Sequence, residues 1–81
     1  MNYLPIGSVV TLRGGGQPIM IYGRKQKNIK NNTIWDYVAC MYPEGNIGDE
    51  YTIFFDNKDI ENILFTGFQT KIDIKMQKLL N

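Results

Sequence analysis

The chain has no histidine and one cysteine in 81 residues. Without an imidazole it can build no Ser–His or Cys–His nucleophile pair, no histidine-ligated zinc site and no histidine acid–base pair. A lone Cys40 excludes an internal disulfide and any thiolate cluster. No apolar run approaches the ~20 residues that span a bilayer. The opening Met1-Asn2-Tyr3-Leu4-Pro5 has neither the basic nor the apolar region of a secretory signal. These absences predict a cytoplasmic, non-enzymatic chain with no catalytic residue, metal site, cofactor or membrane segment.

What is present is apolar enough to fold. Hydrophobic residues make up 43% of the chain and aromatics 12%, which sustains one packed core. The net charge of +1 hides a segregated pattern. Residues 1–35 carry Arg13, Arg24, Lys25, Lys27 and Lys30 and no acid. Residues 36–68 carry Asp36, Glu44, Asp49, Glu50, Asp56, Asp59 and Glu61 against Lys58. The remainder carries Lys71, Lys75 and Lys78 against Asp73. Such a dipolar chain suits internal neutralisation or a charged protein patch better than a polyanion.

Five β-type runs follow one another. Ser8–Arg13 is rich in β-branched residues, and Gly14-Gly15-Gly16 supplies a tight link to Pro18–Arg24. Polar Lys25–Asn32 reads as a hairpin tip. Thr33–Tyr42 is apolar on both alternating faces over its second half, which predicts a strand covered on two sides. Pro43–Glu50 is a loop, Tyr51–Phe55 a fourth strand and Asn62–Thr66 a fifth. Between the last two, Asn57–Ile60 forms one helical turn capped by Asp56 or Asn57.

Thr70 then caps a helix in which Ile72, Met76, Leu79 and Leu80 make an apolar stripe too short to stand unpacked. The order predicts a mainly-β fold, a small five-stranded SH3-like barrel over residues 1–69. A C-terminal helix over 70–81 packs on it or on a partner. The alternative is an antiparallel meander with the helix across one face.

Each constellation with chemical promise also has an ordinary explanation. The glycine triplet lacks the following Lys-Ser/Thr and helix of a phosphate loop. Arg24, Lys25 and Lys27 beside Tyr22 and Trp35 offer an anion contact of the kind small barrels use on nucleic acids, yet a solvated hairpin tip explains them. Most aromatics are expected in the core, with no run of surface rings to grip polyproline. The seven carboxylates lack calcium-loop spacing and read as turn and cap residues. Cys40 should be buried and inert. For a protein partner, an exposed β-edge or the Ile72, Met76, Leu79, Leu80 stripe supplies the apolar anchor, with Trp35 a further candidate contact.

Several segments taken together resemble a known family. They are Leu4-Pro5-Ile6-Gly7-Ser8-Val9-Val10, Arg13-Gly14-Gly15, Ile19-Met20-Ile21-Tyr22-Gly23-Arg24, Trp35-Asp36-Tyr37 and Cys40-Met41-Tyr42-Pro43-Glu44-Gly45. Phe54-Phe55, Asp59-Ile60 and Phe65-Thr66-Gly67-Phe68 complete the set. The family is a domain-of-unknown-function family of small Gram-positive proteins encoded near type VII secretion genes and LXG-type polymorphic toxins. The resemblance spans residues 4–68 and carries no catalytic residues. It implies an accessory or chaperone-like factor that binds a toxin or another secretion component. The chain looks like a helper and not cargo, because Trp35 is followed by Asp36-Tyr37 and no WxG motif separates two long helices. An immunity protein that occludes a toxin domain, with the acidic segment 36–61 facing a basic target, is the first alternative. A nucleic-acid-binding small barrel is the second, and a homodimer is left open.

Overall fold

The β-branched Val9, Val10 and Thr11, with Leu12, form β1 (Val9–Leu12), and the glycine triplet turns the chain into β2 (Ile19–Asn28). Gly14 takes φ 79° in that turn, a region that penalises any Cβ. The computed structural model describes residues 2–81; Met1, with which the expected 1–69 unit begins, lies outside the described residues. β3 (Thr33–Met41), β4 (Ile53–Phe55) and β5 (Ile60–Phe65) follow, then α1 (Lys71–Leu80). Single 3-10 turns at Asp49–Tyr51 and Asn57–Asp59 flank β4. In the second, the Asp59 carboxylate accepts the Asp56 N–H at 2.9 Å, so Asp56 and Asp59 serve as cap residues.

All pairings are antiparallel, and the strands lie in the order β4-β3-β2-β1-β5. The first four strands meander, and β5 returns to pair with β1. The mainly-β, five-stranded fold with a C-terminal helix is as the sequence predicts, but the sheet does not close. β4 and β5 are its two edges, and a three-residue β4 offers little ladder for closure.

β2 and β3 pair from Ile19↔Met41 out to Asn28↔Thr33. The expected tip over Lys25–Asn32 is therefore too long, and only Ile29–Asn32 turns. The polarity of Lys25, Gln26 and Lys27 reflects a strand arm standing in solvent and not a loop.

A bulge interrupts this ladder: Ile21 faces Ala39, Gly23 faces Val38 and Arg24 faces Tyr37. Strict alternation from Ile19 and Ile21 would leave Arg24 on the opposite face; the extra residue brings it onto the core side. Gly23 fits there because a Cβ would lie 2.6 Å from Val38 Cγ1.

The core gathers Val10, Ile19, Ile21, Tyr37, Ala39 and Phe55 from four strands, together with Tyr3 from the N-terminal segment. Tyr37 is its centre. Its ring stacks on Phe55 at 5.2 Å and meets Tyr3 edge-on at 5.9 Å. Its hydroxyl accepts the Leu4 N–H at 2.9 Å and donates to Asn57 Oδ1 at 3.1 Å. Along β3, Tyr37, Val38, Ala39 and Cys40 are all buried, as the doubly apolar run predicts.

Candidate interaction surface

Thr70 starts α1, its hydroxyl accepting the Asp73 N–H at 3.1 Å. The Asp73 carboxylate does not close a capping box. One oxygen accepts from Arg24 at 2.6 Å and the other from Gln69 at 3.1 Å. The Arg24 and Asp73 side chains are only 6% and 15% exposed. The Arg24 hydrogen bond is the main force holding the Asp73 carboxyl below its ordinary pKa, while partial burial opposes it.

One turn further along, buried Gln77 bonds twice to the Tyr3 backbone. It accepts the Tyr3 N–H at 2.8 Å and donates to the Tyr3 carbonyl at 2.7 Å. Leu80 packs against the core, and its carbonyl receives the Lys25 ammonium at 2.9 Å. A cation at that end also meets the negative pole of the helix.

Asp73, Gln77 and Leu80 recur at four- and three-residue spacing and define the docked side. It is mostly polar. Of the expected anchor residues, Ile72 and Leu79 therefore point away, 79% and 82% exposed, while Met76 borders the docked side, 47% exposed with its sulfur against Arg24. The structure brings those three together on one outward stripe and turns Leu80 inward, away from them. Trp35 sits on β3 opposite Gln26, half-buried, with its indole nitrogen unpartnered among the described residues.

The expected anion contact needs correction at Arg24. Its guanidinium is buried against the helix, where it also reaches the Leu4 carbonyl at 3.4 Å and the Met76 sulfur at 3.7 Å. Lys25 is spent on the helix end, and Lys27 alone of the three remains exposed without a protein partner among the described residues. The three residues do not form a common anion-binding surface. The missed signal was the bulge, which Tyr22-Gly23 permits but does not announce.

Fewer rings lie in the core than the sequence predicts. Tyr42, Tyr51, Phe65 and Phe68 are exposed. Tyr42 and Phe65 line an apolar groove of about 430 Å³ with Val9, Pro18, Met20 and Leu64. Of the two edge strands, β5 is the longer and bares Ile63, Leu64 and Phe65, all more than half exposed. Such an unshielded apolar edge is a template for association.

Four of the seven acids in residues 36–61, Asp36, Asp56, Asp59 and Glu61, are engaged within the fold, whereas Glu44, Asp49 and Glu50 are exposed. Asp36 and Asp56 tie β3 to the turn after β4: the Asp36 N–H donates to Asp56 at 3.1 Å and the Asn57 N–H to Asp36 at 2.9 Å. Among the described residues, no three His, Cys, Asp or Glu side chains gather as a metal site, and no helix is long and apolar enough to cross a membrane.

The chain belongs to the family described as Domain of unknown function (DUF4176), whose profile matches residues 3–76. That span includes the sheet, the Arg24–Asp73 pair and Met76. No curated protein and no solved structure matches the chain.

Proposed function

We propose that the chain is a non-enzymatic protein-binding accessory factor, chaperone-like toward a type VII secretion toxin or another component of that system. The observation that carries the binding reading is the helix docked by its polar side, leaving Ile72, Met76 and Leu79 in solvent. Solvation alone would favour the opposite facing, so the outward stripe makes sense as a surface reserved for a partner. The choice of partner rests on the sequence resemblance set out above. A standard interface takes ~800 Å² per partner, about one seventh of the 5546 Å² surface. One specific partner therefore fits comfortably. Burial of Arg24 against Asp73, and use of the exposed Lys25 on the Leu80 carbonyl, weigh against the nucleic-acid alternative.

The test is capture with the tagged full chain from its native cells, in low and high salt, followed by mass spectrometry. Recovery of a toxin through its N-terminal targeting region, surviving high salt and lost with Leu79→Asp, supports the proposal. Recovery through a toxin's C-terminal domain converts the reading to immunity. Nucleic acid alone, and only at low salt, overturns it.

A further inference from the structure

The outward side of α1 carries two unlike rows. Ile72, Met76 and Leu79 are spaced four and three residues apart. At 100° per residue they fall within a sector of about 60°. Ile74, also exposed, lies apart from them on the far side of the helix, so the three form the narrow seam of a helix–helix contact, not the wide apolar face of a helix lying in a bilayer. One residue earlier, Lys71, Lys75 and Lys78 repeat the same spacing, all exposed. They run along one border of the seam, about 100° round the helix.

The other border is the docked row, so the seam lies between cations and the protein's own body. The helix has one acid, Asp73, and it is tied to Arg24. From β2, Arg24 reaches the Met76 sulfur but is neutralised by Asp73, while exposed Lys25 reaches the Leu80 carbonyl and adds a further cation at this end of the helix.

We infer that the seam receives an amphipathic helix of the partner protein, acidic along the flank that faces Lys71, Lys75 and Lys78. This rests on the protein-binding reading above and names the chemistry of the partner. Ile72, Met76 and Leu79 pack between the partner's apolar side chains, in the geometry of helices crossing at a shallow angle. The lysine row sets the orientation of the incoming helix and rejects a basic one. The seam is only about 11 Å long at 1.5 Å per residue, so two to three turns of partner cover it.

The test places a photo-reactive benzoylphenylalanine at position 72, 79 or 65 of the full chain in native cells and maps each cross-linked peptide. Adducts from 72 and 79 are expected in a segment with heptad apolar spacing and acids on one flank. A synthetic peptide of that segment should then lose about tenfold or more in affinity with Leu79→Asp, as truncation of a central anchor does. It should also weaken with Lys71→Glu/Lys75→Glu and recover when its own acids are changed to lysine. All three substituted residues are exposed, and circular dichroism checks that each variant remains folded.

Adducts to protein from 65 only, or from 72 and 79 to a segment without helical spacing or acids, overturn the inference and leave the protein-binding reading standing. Adducts to lipid from 72 and 79 make the helix a membrane contact and overturn the inference. Absence of protein adducts at all three positions overturns both.

Discussion

Gln77 holds Tyr3 as a neighbouring strand would, its amide accepting the Tyr3 N–H at 2.8 Å and donating to the Tyr3 carbonyl at 2.7 Å. The pair joins residues 74 positions apart and fixes which side of α1 faces the sheet. A side-chain amide carries its donor and its acceptor on separate atoms, spaced to meet both groups of one backbone residue at once. Gln77→Glu keeps the shape but loses the donor and sets a carboxylate against a carbonyl. Gln77→Ala leaves both Tyr3 groups unpaired. Each variant should lose about 1–3 kcal/mol, read as a lower midpoint in urea, with Glu the worse of the two at neutral pH.

The Arg24–Asp73 contact predicts a different pattern. Asp73→Asn leaves a buried guanidinium without its counter-charge and should cost about 2–3 kcal/mol, a fall in Tm of roughly 10–20 °C for a domain of this size. Replacing both residues by Met should recover much of that loss, because the desolvation cost of the charges goes with them. A double replacement no better than Asp73→Asn alone would show that the pair is not acting as a unit.

The same contact gives a pH dependence. Folding lowers the Asp73 pKa, chiefly through the Arg24 hydrogen bond. Its stabilisation is thus complete above the unfolded carboxyl value of about 3.9 and is lost as pH falls through the lower folded value. Urea midpoints measured from pH 7 down to about pH 3 should fall more steeply for the natural chain than for Asp73→Asn.

How much of this could be read from the residues depends on the element. β1 and β3 were legible because β-branched and apolar residues recur where strands need them, and the turn at Asn57–Asp59 because Asp56 is a cap residue. The burial of Arg24 was not, since period-two alternation from Ile19 and Ile21 places it outside and only the Tyr22–Gly23 bulge reverses that. The facing of α1 was hidden for a related reason. Apolar spacing marks a seam but does not say whether the sheet or a partner fills it, and here Asp73 and Gln77 take the sheet.

Gly67 offers a test of the junction between the sheet and the helix linker. Its N–H donates to the buried Ser8 hydroxyl at 2.9 Å, which in turn donates to the Pro5 carbonyl at 2.7 Å. A Cβ at position 67 would run into the Ile6 carbonyl and lie 3.0 Å from the Ser8 nitrogen. These are backbone atoms, so relief requires moving the chain. Gly67→Ala should cost about 1–3 kcal/mol or more. Gly16→Ala, with nothing within 4 Å of the added carbon, should leave thermal unfolding nearly unchanged.

Tyr3 and Tyr37 should ionise late. Burial raises both phenols above their usual value, although for Tyr37 the hydrogen bond from the Leu4 N–H opposes this. A phenol whose pKa rises on folding contributes stability below about pH 10 that is lost as pH climbs through the folded value. Absorbance at 295 nm should show a late phase worth two of the five tyrosines, accompanying unfolding. Tyr37→Phe should reduce that phase and lower stability by about 1–3 kcal/mol through the unpaired Leu4 N–H.

The central claim is that α1 docks through Asp73, Gln77 and Leu80 and keeps Ile72, Met76 and Leu79 in water. Methyl relaxation of the free chain in the presence of a soluble paramagnetic agent measures this directly. The account predicts strong enhancement at the Ile72, Met76 and Leu79 methyls, weak enhancement at Leu80, and none at Ile19 and Ile21 of the core. Protection of Ile72, Met76 and Leu79 at the level of Ile21, with the Gln77 amide open to the agent, would contradict it.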